Sequence, residues 1–215
     1  MKTSMDKVPL QDSQNEVLFG VAIQPNLKWS VQISSLCKKL KTKLAGLDKL
    51  RKIMNRASRK IIVQGVFNST LCYCIPLFGG CNSTELKSLQ YLQNRAARIA
   101  LNLPAMSNRK SMFDELDWLT VKQLIVYHTL ISVFRIRMSN EQGYLTQQLN
   151  RENFRGKIIV KNCHLELYQR SFVPRGSKLW NSLPVGLKEA EKIGFFKKQL
   201  KKWVMENVPM FEDGP

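Results

Sequence analysis

The stretch that decides the fold is residues 84–104, which read TELKSLQYLQNRAARIALNLP. Its apolar residues recur at steps of three and four, as they do on one face of an α-helix, and its cations occupy another face. Pro104 ends the run, because proline disfavours the helical backbone at the residue before it. This amphipathic helix predicts a mainly α fold. Its apolar stripe comprises Leu86, Leu89, Leu92, Ala96, Ile99 and Leu103.

Two patterns downstream of this helix are typical of capping boxes, in which a Ser or Thr and a residue three positions later begin a helix. Ser111 with Asp114 forms the first pattern, and Thr120 with Gln123 forms the second. The run after Thr120 is apolar on most sides, which predicts a central helix. Residues 139–178 lack clear periodicity. Residues 183–204 predict one last basic helix, whose inward-facing side chains are Phe195, Phe196, Leu200 and Trp203.

Upstream, residues 34–54 carry leucines and a methionine at helical spacing beneath a face of lysines. They predict a basic amphipathic helix, although Gly46 lies inside it. Residues 58–71 predict a second helix with Ser58 as its cap, and residues 76–80 predict a loop or turn. Residues 17–23 form a β-rich apolar run, which predicts one short strand.

The positive charge of the chain is concentrated in two zones. The 215 residues include 34 lysines and arginines against 16 acids, a net charge of +18. Residues 28–60 hold eleven cations and one acid, residues 151–203 hold thirteen and four, and the apolar middle is nearly neutral. Such an excess is typical of chains that bind a polyanion. Nucleic acid is the predicted partner, with an anionic membrane surface as the second choice.

The chain shows neither an export signal nor a clear membrane span. The residues after Met1 lack the apolar core of a secretory signal, and five cysteines form an odd set, so we expect reduced thiols and an intracellular location. Residues 61–84 carry hardly any charge, but polar residues, a proline and a glycine pair interrupt them. These residues are therefore predicted to form a buried core segment and not a membrane span, and no membrane is predicted as a partner.

The residues predict no catalytic constellation. Asp114, Glu115 and Asp117 form the only acidic cluster, interpreted as the first turn of a capped helix, where negative charge offsets the helix dipole. The two histidines lack a nucleophile and an orienting partner. The cysteines and the histidine that could serve as zinc ligands do not have the spacing of a zinc finger or a zinc ribbon. We therefore predict no catalysis, metal, cofactor or small-molecule substrate. Those excluded ligands are Cys72, Cys74, Cys81, Cys163 and His164.

What remains is a set of cations suited to phosphates. Lysines on an amphipathic helix neutralise phosphates without reading bases, which predicts salt-sensitive and sequence-tolerant binding. The ratio of eleven cations to one acid in residues 28–60 argues against a face that is merely solvated, because such faces normally carry both positive and negative side chains. Four arginines near apolar or glycine-bearing segments are candidates for directed phosphate contacts. The predicted residues are Lys38, Lys39, Lys41, Lys43, Arg51, Lys52, Arg95, Arg98, Arg170 and Arg175.

Several short strings resemble the region after the catalytic palm motif in LINE-type (non-LTR) retrotransposon reverse transcriptases of the jockey and chicken-repeat kind. Four strings occur in the family's order from about Val17 to Val204, which makes the resemblance specific. The strings are Phe19-Gly20-Val21-Ala22-Ile23 with Asn26-Leu27-Lys28-Trp29 and Ile33; Leu92-Gln93-Asn94-Arg95-Ala96-Ala97-Arg98-Ile99; Arg170-Ser171-Phe172 with Arg175-Gly176; and Leu179-Trp180-Asn181-Ser182-Leu183-Pro184 with Phe196-Lys197-Lys198-Gln199-Leu200-Lys201.

The chain also departs from that family. Gln24 stands where the family usually has aspartate, Gln32 where it usually has histidine, and Phe78 where tryptophan often stands. The catalytic Ala-Asp-Asp strand would lie upstream of Met1 and is not in this sequence. The resemblance therefore implies a last palm strand, a thumb-like region and a C-terminal extension that would grip a primer–template duplex.

The resemblance implies a thumb-like helical bundle with one or two short N-terminal β-strands left over from a truncated palm. The leading hypothesis is a non-enzymatic, nucleic-acid-binding fragment of a retrotransposon reverse transcriptase. Two alternatives stay open: a recruited protein-interaction module, and a piece of a complete RNA-directed DNA polymerase. The predicted segments are a polar tail (1–16), a palm remnant (17–33), a helical thumb-like domain (34–138), a basic C-terminal extension (139–204) and an acidic tail (205–215).

Overall fold

The computed structural model describes residues 16–139 and 141–210, and these residues form a mainly helical fold, which confirms the predicted class. Nearly all of the predicted polar tail and the end of the predicted acidic tail lie outside the described residues. The helices are α1 (Ser30–Leu50), α2 (Arg56–Val63), α3 (Ser69–Cys72), α4 (Ile75–Phe78), α5 (Ser83–Leu101), α6 (Arg109–Leu116), α7 (Val121–Arg137), α8 (Tyr144–Asn150), α9 (Glu166–Arg170), α10 (Phe172–Asn181), α11 (Val185–Lys188) and α12 (Ile193–Asn207), with a π-helical turn (Gln64–Asn68) that joins α2 to α3.

The apolar run at residues 17–23 is a β-hairpin rather than one strand. Strands β1 (Glu16–Leu18) and β2 (Val21–Ile23) pair antiparallel. Phe19 and Gly20 form the turn with φ of 48° and 76°, the left-handed geometry that a two-residue hairpin turn requires. A run of apolar letters does not show where a chain reverses, and Gly20 was the signal for the turn.

The two long helices of the first half form because their apolar stripes meet. Leu36, Leu40, Leu44 and Leu47 of α1 are buried, and α5 packs against them along its own predicted stripe. Helix α1 begins four residues earlier than predicted, and Gly46 does not interrupt it. Helix α5 ends at a left-handed Asn102 cap, two residues before Pro104. The predicted amphipathic pattern of both helices is confirmed.

Predicted caps were right at one position and wrong at two. Thr120 and Gln123 form a capping box at the start of α7, as predicted. Helix α2 is capped by Asn55 rather than Ser58, and α6 by Asn108 rather than Ser111. In both wrong cases an asparagine lies three residues upstream, and its side chain accepts the backbone N–H of the serine.

The earlier start of α6 changes the role of the acidic cluster. Asp114 and Glu115 lie in the last turn of α6, and Asp117 follows it in a left-handed conformation. The interpretation as a first-turn cluster that offsets the helix dipole was therefore wrong. Carboxylates at a C-terminal end meet the negative end of the dipole, so they need cations nearby.

The buried apolar residues form two clusters that share α7. The N-terminal core runs from Ile33 to Ile125, and the C-terminal core runs from Leu119 to Val204. Val121 and Ile125 of α7 belong to the first core, whereas Leu130 and other residues of its opposite side belong to the second. The prediction that this helix is central is confirmed.

Residues 76–80 are not simply a loop, because Ile75–Phe78 forms the single helical turn α4, whose first and last side chains are buried. The glycine pair after α4 lets α7 and the end of α9 approach closely. A Cβ on Gly79 would lie 2.5 Å from Ile125, and one on Gly80 would lie 2.3 Å from the Arg170 carbonyl oxygen. Any larger residue at Gly80 would therefore force the two segments apart.

The C-terminal part differs from its prediction in two ways. The aperiodic segment contains α8, α9 and most of α10, although Pro174 and Gly176 argue against a helix there. The single last helix is in fact α11 and α12, separated by a short connection. Phe196 and Leu200 are buried and Trp203 packs against the same core, as predicted, but Phe195 is 53% exposed.

Candidate nucleic-acid interface

Helix α1 presents its lysines to solvent opposite the buried leucine stripe. Lys38, Lys39, Lys41 and Lys43 are all exposed, and so is Lys49, which was not among the predicted site residues. The stripe fixes the helix against α5, so the lysines cannot turn inward. The outer side of α1 is therefore a positively charged surface held by a rigid element.

The lysines of α1 fall on two flanks. At about 100° per residue, Lys38, Lys41 and Lys49 lie within about 80° of one another. We call these three residues the lysine face; Lys38 and Lys49 are roughly 16 Å apart along the axis at 1.5 Å per residue. Lys39 and Lys43 lie on the other flank, where the Lys43 ammonium donates a hydrogen bond to the Thr70 hydroxyl.

The flank of Lys39 borders a cleft of about 410 Å³ between the hairpin, α1 and α3. Phe19, which is 83% exposed, and Tyr73 also line it, and the Tyr73 hydroxyl donates to the Phe19 carbonyl at 2.7 Å. The cleft therefore combines a cation with two aromatic rings beside the lysine face.

The only acid in α1, Asp48, does not neutralise the lysine face. Its carboxylate lies 3.7 Å from the Arg51 guanidinium and 3.9 Å from that of Arg95 on α5. Both are long, partly exposed ion pairs, which contribute little to stability but keep the carboxylate on the α5 flank.

Arg51 is mainly engaged within the fold. Its guanidinium donates to the Asn102 side chain at 2.5 Å and to the Leu103 carbonyl at 3.0 Å. These acceptors lie at the C-terminal end of α5, where carbonyl groups lack partners within the helix and a cation is favoured. Only part of its hydrogen-bonding capacity is left for a phosphate.

Arg59 is a structural cation that sequence reasoning counted only as charge. It is 6% exposed, and its guanidinium donates to the main-chain carbonyls of Arg51, Met54 and Ala100, each at 3.0 Å. It thereby joins the C-terminal ends of α1 and α5. The only available signal was its position on the apolar side of α2, one turn before Val63.

The remaining predicted residues of the first half differ in accessibility. Lys52 is exposed just beyond α1. Arg95 and Arg98 are half-buried on α5, and within the described residues Arg95 has only its 3.9 Å pair with Asp48. Lys52 therefore extends the positive surface of α1, whereas the two arginines lie on the neighbouring helix.

Arg170, the last residue of α9, and Arg175 of α10 lie beside α4 and the glycine pair that follows it. The Arg170 guanidinium pairs with Glu166 one turn earlier and is exposed. Arg175 is half-buried, and its guanidinium donates to the carbonyls of Pro76 and Arg170. Burial lowers the pKa of Arg175, which the nearby Cys81 partly offsets. Arg175 thus ties α10 to the N-terminal core, and its guanidinium is only partly open to a ligand.

Three further cations are paired with acids within the fold. Arg56 and Lys60 both bind Glu115, and their hydrogen bonds lower the pKa of that carboxyl. Lys201 binds Asp117. These pairs supply the cations that the C-terminal end of α6 needs, and they remove charge from the two basic zones.

A surface loop that sequence reasoning missed lies in the second zone. Residues 151–158 form a tight turn closed by an isolated bridge between Glu152 and Ile158. Phe154 is 92% exposed at its tip, and the Arg155 guanidinium lies 5.1 Å from the ring centroid. The string Asn153-Phe154-Arg155-Gly156 was the available signal, because Asn at the first and Gly at the fourth position are typical of a type I β-turn.

Cys72, Cys81 and His128 lie in surroundings that disfavour their charged forms. Burial raises the pKa of Cys72 to about 11, and burial with the nearby Glu85 raises that of Cys81 to about 12. Burial, with Lys197 and Arg135 nearby, lowers the pKa of His128. In residues 16–139 and 141–210, no three His, Cys, Asp or Glu side chains form a group that could hold a metal ion.

One segment, residues 109–137, is long enough to cross a membrane and contains an 18-residue window with a mean hydropathy of 1.2, which is apolar enough for a membrane-crossing helix. Its most apolar window is 56% buried within the fold, and the turn at Asp117 divides it into α6 and α7. Both observations are those expected of a core helix.

Searches of protein-family models, of curated proteins and of solved structures returned no match to this chain.

Proposed function

We propose that this chain is a non-enzymatic module that binds the backbone of nucleic acid through the lysine face of α1, and that it is a fragment of a LINE-type reverse transcriptase. The observation that carries the proposal is the arrangement of charge on α1. Lys38, Lys41 and Lys49 point away from the core, and Asp48 is turned toward arginines. Roughly 16 Å of duplex carries about ten phosphates, enough to engage all three lysines.

The described residues also support a module without polymerase chemistry of its own. Transfer of a nucleotide needs carboxylates placed together to hold two metal ions. Of the acidic cluster, Glu115 is bound by two cations and Asp117 by one. Their surroundings suit charge pairing at a helix end rather than metal binding.

The test is fluorescence anisotropy of a labelled 20-base-pair duplex with the full chain, measured between about 50 and 300 mM salt. Each neutralised phosphate of B-form DNA contributes about −0.9 to the slope of log affinity against log salt concentration. The three lysines of the lysine face account for at most about −2.7 of the slope, and further cations of the two basic zones add to it, so we expect a slope of roughly −4 to −8 and little dependence on base sequence.

Three double variants that each remove two charges assign the surface. Lys38→Gln with Lys41→Gln should flatten the slope by up to about 1.8. Lys39→Gln with Lys43→Gln should flatten it less, because Lys43 already donates to Thr70.

Lys87→Gln with Lys110→Gln is the matched control, since these exposed lysines on α5 and α6 lie outside both basic zones. We expect this control to leave the slope nearly unchanged. Equal slopes in all three variants would mean that only net charge matters. A salt-independent affinity would instead favour the alternative of a protein-interaction module.

A further inference from the structure

The loop at residues 151–158 is held in one conformation by its own hydrogen bonds. The Asn153 N–H donates to the Lys157 carbonyl at 2.9 Å, and the Asn153 side chain accepts the N–H groups of Arg155 and Lys157 at 3.0 and 3.1 Å. Gly156 has a φ of +66°, which a larger residue would adopt only with strain. The tip is therefore ordered by these backbone and Asn153 hydrogen bonds, and the described contact of the Phe154 ring is with the Arg155 guanidinium over one of its faces.

The base of the loop is fixed to the C-terminal core. Ile158 is 2% exposed, and its N–H and carbonyl both pair with the Asn181 side chain at 2.9 Å. Arg137 lies over the Trp180 ring and donates to Glu152 at 2.6 Å. The loop thus projects from a rigid platform.

The side chain that this platform displays is a single aromatic ring among cations. Phe154 is 92% exposed, so nearly all of its apolar surface faces water. Arg151, Arg155 and Lys157 around it are exposed, and Glu152, the one acid of the loop, is paired with Arg137. Exposing a phenylalanine at an ordered tip forgoes the stabilisation that burial would give, and the cations around the ring suit an anionic ligand that also offers a flat face for stacking.

We infer that Phe154 stacks on an unpaired base of single-stranded nucleic acid, while Arg155 and Lys157 contact its phosphates. This inference rests on the proposed function and adds to it a preference for unpaired strands. Aromatic rings among cations are the means by which proteins bind single strands without reading their sequence, because every base has a π-face. Within a duplex those faces are covered by neighbouring bases, so the ring has access only to unpaired ones.

A protein or a membrane suits this tip less well. Binding sites for proteins are centred on clustered apolar anchors, and a membrane anchor needs a larger apolar face. Between residues 151 and 157 the only apolar side chain is that of Phe154. One ring matches the size of one base.

The experiment compares Phe154→Ala with Phe195→Ala in the full chain. Phe195 is also exposed, at 53%, but it lies on α12 among side chains that form no such turn. Affinity is measured for a 20-nucleotide oligothymidine and for a 20-base-pair duplex at one salt concentration. Phe154→Ala should weaken single-strand binding by roughly 5- to 100-fold, in keeping with alanine substitutions at stacked bases. Duplex affinity and the single-strand affinity of Phe195→Ala should change by less than about twofold, because neither involves stacking on Phe154.

Two further variants separate stacking from other contacts. Phe154→Trp should retain single-strand affinity, whereas Phe154→Leu, which is apolar without a π-face, should resemble the alanine variant. Since Phe154 makes no core contact, melting temperatures should stay at the wild-type value. Retained affinity in the leucine variant would overturn the inference.

Other outcomes distinguish this inference from the function on which it rests. If the wild-type chain binds both ligands with steep salt dependence but Phe154→Ala changes neither, the stacking is wrong and the proposed function stands. If the wild-type chain binds neither ligand, the proposed function is wrong, and the inference that rests on it is wrong as well. Binding to phosphatidylserine vesicles that depends on Phe154, with unchanged oligothymidine affinity, would assign the ring to a membrane and overturn the inference.

Discussion

Replacing Arg59 by methionine tests whether the basic zone of residues 28–60 contains structural as well as binding cations. Methionine keeps an unbranched apolar stem but cannot donate a hydrogen bond. The Ala100 carbonyl would lose its partner in a buried position, and the Arg51 and Met54 carbonyls would lose theirs in partly buried positions. Helices α1 and α5 would then end without the cation that joins them.

The magnitude follows from the three acceptors. A buried carbonyl without a partner costs about 1–3 kcal/mol, and the two that water can reach cost less, about 0.5–1 kcal/mol each. Part of this cost is offset, because the variant no longer has to remove the charged guanidinium from water. We expect Arg59→Met to lower the free energy of unfolding by about 2–4 kcal/mol, and the melting temperature by roughly 5–10 °C for a chain of this size.

The assay is urea and thermal unfolding followed by circular dichroism, with Arg56→Met as the matched control. Arg56 lies on the same helix, but its side chain is 64% exposed, and its partner among the described residues is Glu115. That variant should lose at most about 1 kcal/mol. If Arg59→Met costs no more than Arg56→Met, the three carbonyl bonds do not stabilise the fold as argued. The salt slope of binding should not change with Arg59→Met, because this cation does not face solvent.

Three other predictions follow from the described residues. The full chain should not extend a primer on any template with magnesium or manganese, since Glu115 and Asp117 of the acidic cluster are paired with cations and are not placed to hold metal ions; template-dependent incorporation above background would contradict this. Because the pKa of Cys72 is raised to about 11 and that of Cys81 to about 12, both thiols should react slowly with iodoacetamide at pH 8 in the folded protein and quickly once urea unfolds it. Elemental analysis of the protein should find no zinc, because the spacing of the cysteines does not suit a zinc site. Mass spectrometry of labelled peptides follows the reaction, and equal rates in folded and unfolded protein would show that burial does not protect them. The lowered pKa of His128 means that, below its ordinary value of 6.5, the unfolded chain binds more protons than the folded one, so stability should fall as the pH drops from about 6.5 through the folded pKa. His128→Gln should weaken that dependence in unfolding curves between pH 7 and 5, and an unchanged profile would assign it to other groups.

The elements that could be predicted from the sequence are those whose local signals agree with their packing. Helices α5 and α7 combine apolar spacing with caps, and both formed as predicted. Helix α10 could not be predicted, because Pro174 and Gly176 disfavour a helix locally. The proline lies in the first turn, where its missing N–H is tolerated, and a Cβ on Gly176 would lie 2.8 Å from Val133. Close packing against α7 therefore overrides propensity there.

For the candidate site, the sequence predicts where the charge is concentrated but not which cations are exposed. Composition identified the basic zones, and periodicity placed Lys38 and Lys41 on an outer face. Lys38 and Arg59 count equally in a sum of charges, yet one is exposed and the other is buried against three carbonyls. Phe154 was missed because an isolated aromatic residue in an aperiodic segment gives no sign of its exposure. Such differences depend on contacts between residues far apart in sequence.

The sharing of α7 by two cores has a consequence for the chain while it is being synthesised. Once residue 137 has emerged from the ribosome, α7 can complete the N-terminal core, but the partners of its other side, α10 and α12, are still to come. Translation to the end of α12 at residue 207 takes about 4–14 s at 5–20 residues per second. During that interval Leu130 and Phe134 have no cover from α12. We expect nascent chains that end between these points to be captured by chaperones, and release to coincide with the emergence of α12.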